Sequence, residues 1–177
     1  MATRRREALI LASAGLAAAA AGFLVGPLVF ERGPSKADAA FLSTRFPDLG
    51  GKLRQLSEWR GRVLVCNFWA TWCAPCREEM PLLVVARAKY AAKGVEIVGI
   101  AVDNAAKVRQ FAGSLGVTYP ILLSEADGLE LMRRLGNSAV GLPYTVFLDR
   151  EGRRAQQKLG ALKPGELERI LDGMTAG

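Results

Sequence analysis

The chain has 177 residues, which is enough for one domain of ordinary size together with an anchor or a tail. Its net charge is +7, from 24 Lys and Arg against 17 Asp and Glu, but the basic residues are scattered, which argues against a nucleic-acid-binding protein. There is no histidine, which excludes a histidine-ligated zinc or haem site and a histidine-containing catalytic triad, and the three cysteines are too few for a disulfide framework.

An uncharged apolar stretch over residues 8–30 follows a run of three arginines at residues 4–6. A helix of about 20 residues crosses the hydrocarbon core of a bilayer, so this stretch is long enough to span it. Basic residues next to such a helix are retained in the cytoplasm. We therefore expect residues 1–30 to form a cytoplasmic basic stub and a transmembrane anchor, with the rest of the chain outside the cytoplasm. A cleaved signal segment is the alternative, because Ala19–Ala21 and Ala37–Ala39 each fit a small-x-small cleavage pattern.

Residues 31–40 are small and polar, which predicts a linker, and the folded domain is expected over residues 41–177. Within this domain, short apolar runs typical of buried strands alternate with helical patterns, and a hairpin and a helix close the chain. This order predicts an α/β fold with helices on both faces of a sheet. The predicted strands are Val63–Trp69, Val95–Val102, Ile121–Leu123, Thr145–Leu148 and about Arg153–Lys158, and the predicted helices are Pro75–Lys93, Ala105–Leu115, Gly128–Leu135 and Pro164–Leu171.

Two cysteines lie where the first of these strands leads into a helix, in the sequence Trp72-Cys73-Ala74-Pro75-Cys76. The unpaired N–H groups and the dipole of a helix N-terminus stabilise a thiolate, which is the nucleophilic form of cysteine. A spacing of three residues places Cys76 one turn along on the same face, within reach to resolve a mixed disulfide. Pro75 suits the first helical turn, where its missing N–H costs nothing. We therefore predict a redox-active pair, with Cys73 as the nucleophile and Cys76 as the resolving cysteine.

Metal binding is the weaker interpretation of these cysteines. Zinc needs four ligands, and one Cys-x-x-Cys pair supplies two. Soft thiolates also bind Cu(I), so a copper carrier that uses Cys73 and Cys76 is a minor alternative, with no histidine and no methionine cluster to complete its site. Cys66 lies in the middle of the predicted strand and is expected to be an inert core thiol, with a third redox or ligand role as the alternative.

The stretch from Phe68 to Pro81 (FWATWCAPCREEMP) resembles the membrane-anchored periplasmic thioredoxin-like proteins of the TlpA/ResA group. The resemblance extends from about Phe46 to the C-terminus and is also specific over Val140–Thr145 and Leu56–Arg62. It implies a thioredoxin-like fold, with a central mixed β-sheet flanked by helices and an N-terminal β extension.

The same resemblance implies how a client protein is held. Pro143 is expected to follow a cis peptide bond, in a loop that faces Cys73. The backbone of Leu142 is expected to pair with an extended client segment. Trp72 and Pro75, on either side of the nucleophile, complete the expected client contact.

Glu79 lies three residues beyond Cys76 and shares its helix face. In the TlpA/ResA group a glutamate at this position is partly buried and handles protons during disulfide exchange. A carboxyl group in an apolar setting has a raised pKa, which suits it to accept a proton from Cys76. Asn67 stands where ordinary thioredoxins carry a buried aspartate, which supports this role for Glu79, and adjacent Glu78 is expected to be a surface charge.

The expected function is therefore thiol–disulfide exchange with no metal and no cofactor. The resemblance favours a reductant of extracytoplasmic client proteins, serving apocytochrome c or copper-site cysteines. It implies a membrane thiol transporter as the electron donor, and a place in the inner membrane with the catalytic domain in the periplasm. A disulfide-forming oxidase of the same fold is the alternative, although the histidine usual in the active-site dipeptide of such oxidants is absent.

Overall fold

The computed structural model describes residues 33–124 and 127–176. The predicted anchor over residues 1–30 lies outside these residues. Within the two described ranges, none of the helices combines the length and the apolar character that a membrane crossing requires.

The first element is helix α1 (Lys36–Ser43), which has Ser35 as its N-cap. The predicted linker over residues 31–40 is therefore wrong from the start of this helix onward. The segment contains several alanines, which have the highest helix propensity, but a helix this short depends on tertiary packing. Phe41 supplies that packing: it is fully buried and stacks on Phe68, with the ring centroids 5.9 Å apart.

A small antiparallel sheet follows, made of β1 (Arg45–Pro47) and β2 (Leu53–Gln55). A 3-10 turn over Leu56–Trp59 then leads toward the central sheet, and the side chain of Leu56 is fully buried. This two-stranded sheet is the N-terminal β extension that the resemblance implies.

The central sheet of the described chain consists of β3 (Val63–Trp69), β4 (Val95–Ala101), β5 (Ile121–Leu123), β6 (Tyr144–Leu148) and β7 (Arg154–Leu159). Their spatial order is β5-β4-β3-β6-β7, which places β3 in the centre. β3 and β4 are parallel, as are β4 and β5, whereas β6 runs antiparallel to both β3 and β7. The sheet is therefore mixed, as predicted. Every residue of β3 and β4 is buried, which explains why both strands are apolar except for Asn67 and Glu96.

The described residues form four further helices, α2 (Ala74–Tyr90), α3 (Ala105–Ser114), α4 (Asp127–Arg134) and α5 (Pro164–Thr175). Each predicted strand and helix of the domain is confirmed, with ends displaced by a few residues. The clearest displacement is at the end of α2, because the last three residues of the predicted helix form a 3-10 turn, Ala91–Lys93. That turn ends at Gly94, whose φ of 79° is left-handed and so favours glycine.

The sheet separates two apolar cores. On one face, Val65 and Trp69 of β3 pack in the core that includes residues of α2, α3 and α5. On the other face, Cys66 and Phe68 pack in the core that includes residues of α1 and α4. The first core also contains both cysteines of the predicted redox pair, which therefore lies over that face, just beyond the C-terminal end of β3.

Candidate active site

Cys73 and Cys76 form a disulfide at the N-terminus of α2, with a sulfur–sulfur distance of 1.99 Å. Cys73 is the N-cap residue of the helix, and the backbone N–H of Cys76 donates a hydrogen bond to Cys73 Sγ at 3.3 Å. This N–H has no partner inside the helix, so it remains available to a sulfur anion. Cys76 is fully buried and Cys73 is 4% exposed, so Cys73 is the more exposed residue of the pair.

Trp72 and Pro75 are both exposed beside Cys73. The Trp72 side chain is 69% exposed, a position in which a large aromatic ring can contact another molecule. Asp103, just after the C-terminal end of β4, holds the turn that contains Trp72. Asp103 accepts a hydrogen bond from the backbone N–H of Thr71 at 3.1 Å and another from the Thr71 hydroxyl group.

Glu79 lies one turn beyond Cys76 on α2 and is 3% exposed. Asn67 Nδ2 donates a hydrogen bond to Glu79 Oε1 at 2.8 Å, and the backbone N–H of Leu162 donates one to Glu79 Oε2 at 2.6 Å. The same Asn67 nitrogen donates to Thr145 Oγ1 at 3.0 Å. The carboxyl group is therefore held between helix α2, the centre of the sheet and the loop after β7.

Burial raises the pKa of Glu79 above its ordinary value of 4.5. The hydrogen bonds from Leu162 and Asn67, and the charge of Lys158, oppose this rise without cancelling it. A raised pKa makes the carboxylate a better proton acceptor at neutral pH. Adjacent Glu78 is exposed, as predicted, so of these two glutamates Glu79 alone has the surroundings of a buried base.

The loop before β6 lies at the same end of the sheet as the disulfide. Its Leu142–Pro143 peptide bond is cis, as the resemblance implies. The next residue, Tyr144, pairs with Phe68 near the C-terminal end of β3. Pro143 is buried, whereas Leu142 is half-buried and packs against the core that contains both cysteines. The redox pair and the loop before β6, which are far apart in sequence, are thus brought to the same end of the sheet.

Cys66 is fully buried and forms no disulfide. Its side chain belongs to the core on the opposite face of the sheet from Cys73 and Cys76, which separates it from the redox pair. Burial raises the pKa of its thiol well above the ordinary value of 9.0, so the group stays protonated at neutral pH. The prediction of an inert core thiol agrees with this position, and the geometry leaves no third ligand from Cys66 for the pair.

Known proteins are similar to this chain in sequence and in fold. The family model described as Redoxin matches residues 36–172. The chain belongs to the redoxin family. This redoxin is 32% identical over 130 residues to the thiol-disulfide oxidoreductase ResA of Bacillus thuringiensis (strain Al Hakam), in an alignment that covers 72% of each protein. It is 34% identical over 128 residues to ResA of Geobacillus kaustophilus (strain HTA426), with 72% of this chain and 71% of that protein covered.

Solved structures share the fold of this redoxin. A thioredoxin family thiol:disulfide interchange protein from Chlorobium tepidum TLS matches with a TM-score of 0.67 at 25% identity, covering 75% of this chain and 92% of that one. The structure of MTB dsbF matches with a TM-score of 0.66 at 25% identity, covering 76% and 97%. The fold is therefore thioredoxin-like, and this redoxin is a protein thiol–disulfide oxidoreductase with Cys73 and Cys76 as its cysteine pair.

Two residues of the hydrogen-bond network around Glu79 are not predicted from the sequence: Thr145, which contacts Asn67, and Leu162, which contacts Glu79 itself. Thr145 lies in a stretch that carries the family resemblance, but its contact with Asn67 follows only from the register of β6 against β3. Leu162 contributes a backbone N–H from a position 83 residues away, and a backbone donor has no side-chain signature.

Proposed function

We propose that this redoxin reduces disulfides of client proteins outside the cytoplasm, with the Cys73–Cys76 dithiol as the donor of two electrons. The observation that carries the proposal is a disulfide at the N-terminus of α2 with a buried carboxyl group one turn away. The helix N-terminus favours the attacking thiolate of Cys73. An ionised Glu79 disfavours thiolates nearby, which stabilises the disulfide relative to the dithiol and so makes the dithiol a stronger reductant.

In the first step, the Cys73 thiolate attacks one sulfur of a client disulfide. The client S–S bond breaks, one client cysteine leaves as a thiolate, and a mixed disulfide joins the client to Cys73. Trp72 and Pro75 border the nucleophile and contact the client. Leu142, held by Pro143 at the same edge of the sheet, pairs with an extended client segment.

In the second step, Cys76 gives its proton to Glu79 and attacks Cys73 Sγ. The bond between Cys73 and the client breaks, the second client cysteine leaves as a thiolate, and the Cys73–Cys76 disulfide forms. Two electrons have then passed to the client, whose two thiolates are protonated from Glu79 and from solvent. Because Glu79 is buried with a raised pKa, it can accept a proton at the place where solvent is excluded.

The apolar stretch over residues 8–30 and the arginines before it support a membrane anchor with the catalytic domain on the periplasmic side. The Cys73–Cys76 disulfide that forms on that side must then be reduced by an electron donor that reaches it across the membrane. The resemblance to the TlpA/ResA group supports a membrane thiol transporter as that electron donor. It also supports the cysteines of apocytochrome c or of copper sites as clients.

The reduction potential of the Cys73–Cys76 pair tests the direction of electron flow. The full-length chain is equilibrated with dithiothreitol and glutathione buffers, and the fraction of disulfide is read after alkylation. We expect a value near that of reducing thioredoxins, about −270 mV. A value near the strong oxidants, about −120 mV, would make disulfide formation the function instead. A Cys66→Ala variant is the control, because it leaves only the two cysteines of the pair to titrate.

A further inference from the structure

The segment between α4 and β6 has an unusual backbone. Val140 has a φ of 53°, in the left-handed region. For a β-branched residue such a φ is an outlier, because the side chain crowds the backbone. Gly136 also has a positive φ, of 100°. The φ of Gly136 carries no strain, but the strained φ of Val140 persists only where the surrounding structure holds it in place.

Asn137 holds this segment. It is 3% exposed, and its backbone N–H donates a hydrogen bond to the carbonyl oxygen of Met132 at 2.9 Å, which ties it to α4. Its side chain contacts both ends of one residue: Nδ2 donates to the carbonyl oxygen of Gly141 at 2.8 Å, and Oδ1 accepts from the N–H of Gly141 at 3.2 Å. The carbonyl oxygen of Asn137 also accepts from the N–H of Val140 at 3.1 Å. One buried residue therefore fixes the backbone on both sides of the strained position.

Gly141, the residue that Asn137 holds, directly precedes Leu142 and Pro143, the loop proposed to contact the client. The carbonyl oxygen of Pro143 accepts a hydrogen bond from the N–H of Gly160 at 2.9 Å. Leu159, opposite Tyr144 in the sheet, lies so close to Gly141 that a side chain there would meet Leu159 Cδ1 at 3.0 Å. The loop is thus fixed by Asn137 on one side and by the end of β7 on the other.

We propose that Asn137 is a positioning residue that sets the backbone of residues 140–142 for pairing with an extended client segment. This inference rests on the proposed function: Asn137 should matter for disulfides whose cysteine lies in an extended polypeptide and not for small disulfides. Because the backbone of residues 140–142 is already ordered, client binding does not have to supply the free energy of ordering it. A small disulfide needs only the sulfur of Cys73 and gains nothing from the loop.

Two probes of equal chemistry and different size test the proposal. One is a short peptide whose single cysteine carries a thionitrobenzoate group, and the other is the symmetrical disulfide of thionitrobenzoate. Release of the coloured thiolate from either probe reports the rate of attack by Cys73 of the reduced full-length chain. We expect Asn137→Ala to slow the peptide reaction about tenfold, because a misplaced contact edge costs transition-state binding. The rate with the small disulfide should stay within about twofold of wild type. The reduction potential should stay within about 10 mV, which is about a twofold change in the equilibrium constant.

Val95→Ala is the matched control for lost stability. Val95 is buried at the N-terminal end of β4, at the opposite end of the sheet from the loop, so its truncation weakens the fold without touching residues 136–142. The peptide rate of this control should equal that of wild type. Equal slowing of both probes by Asn137→Ala would overturn the proposal, as would an unchanged peptide rate. A wild-type chain that attacks neither probe would instead contradict the proposed function.

Val140→Gly separates positioning from stability. Glycine adopts a φ of 53° without strain, so the native loop remains accessible, but it also has other conformations available to it. We expect a peptide rate about threefold below wild type, since the pre-organised edge is partly lost, and an unchanged rate with the small disulfide. Wild-type rates with both probes would show that the backbone at residue 140 does not position the client, contrary to the proposal.

Discussion

Replacing Glu79 with glutamine removes its ability to accept a proton and keeps its size. One of its two acceptor oxygens becomes an NH₂ group, which needs an acceptor of its own. Asn67 Oδ1 is buried and has no hydrogen-bond partner in the described part of the chain, so a turn of the Asn67 amide offers it to the new donor. At low pH, where Glu79 is protonated, we therefore expect the free energy of unfolding to change by less than about 1 kcal/mol. Glu79→Ala should cost about 1–3 kcal/mol, because the N–H of Leu162 loses its acceptor.

The stability difference between wild type and Glu79→Gln should depend on pH. The folded-state pKa of Glu79 is raised above 4.5, so its contribution to stability is fully present below pH 4.5 and is lost as the pH rises through the folded-state value. Urea unfolding at a series of pH values measures how far the folded-state pKa of Glu79 is raised, since each pKa unit corresponds to about 1.4 kcal/mol of unfolding free energy. Glu58→Gln should show the opposite sign. Chiefly because the backbone N–H of Gln55 donates to it, the pKa of Glu58 is lowered, and its stabilising contribution is lost as the pH falls below 4.5.

The kinetic effect of Glu79→Gln should fall on the second step alone. Without a base, Cys76 loses its proton slowly, and general base catalysis contributes about 10²-fold or more to such a step. Attack by Cys73 on the client should be unchanged. Reduced protein is mixed with an excess of a disulfide-bonded peptide, quenched with acid at intervals, and analysed by mass spectrometry. We expect the mixed disulfide to accumulate in the variant.

Glu78→Gln provides the matched control, since Glu78 precedes Glu79 on the same helix and is exposed. It should resolve the mixed disulfide at the wild-type rate. Our reasoning would be refuted if Glu79→Gln also resolved it at that rate, or if both variants were slowed equally. In the first case Glu79 is only a structural partner of Leu162 and Asn67, and in the second the loss reflects the general charge near the helix N-terminus.

Three further substitutions test other parts of the molecule. Trp72→Ala should change the free energy of unfolding by less than about 0.5 kcal/mol, because the ring is 69% exposed, yet slow the reduction of insulin disulfides; a normal insulin rate would remove Trp72 from the client contact. Cys66→Ala should cost about 1 kcal/mol in urea unfolding and leave the reduction potential within about 10 mV, and a larger shift in potential would couple the two faces of the sheet. Phe41→Ala should cost about 3–5 kcal/mol in urea unfolding, and a cost below about 1 kcal/mol would show that α1 is not part of the folded domain.

The redox pair and the strands around it are predictable because their signals are local. β3 and β4 are buried on both faces and are therefore almost entirely apolar, and the Cys-x-x-Cys spacing places both cysteines on one face of a helix. Helix α1 is not predictable from its own sequence because its stability comes from contacts with distant parts of the chain. Asp38, buried on α1, accepts a hydrogen bond from Arg154 at 3.0 Å across 116 residues, and Phe41 packs on the central strand. No pattern within residues 31–40 records either contact.

In the candidate site, too, the contacts between distant parts of the chain cannot be predicted from local sequence. Helix periodicity places Glu79 on the face of Cys76, but its second hydrogen-bond donor, the N–H of Leu162, is set by where the loop after β7 passes. Asn137 next to Gly136 has the composition of an ordinary turn. Two features distinguish it: the Asn137 side-chain amide bonds both the N–H and the carbonyl oxygen of Gly141, and Val140 has a positive φ. Neither feature can be predicted from the residue types.

The alternation of β3 explains how a third cysteine is compatible with redox chemistry in this chain. Asn67, whose side chain reaches Glu79, points to the face of the reactive pair, and its neighbour Cys66 points to the opposite face. A one-residue change of register would exchange these faces, because successive side chains of a strand alternate. Burial then keeps Cys66 protonated, and a thiol that is protonated and covered by the sheet cannot attack the Cys73–Cys76 disulfide. The strand that leads into the Cys73–Cys76 pair therefore also keeps the third thiol of the chain, Cys66, away from that pair.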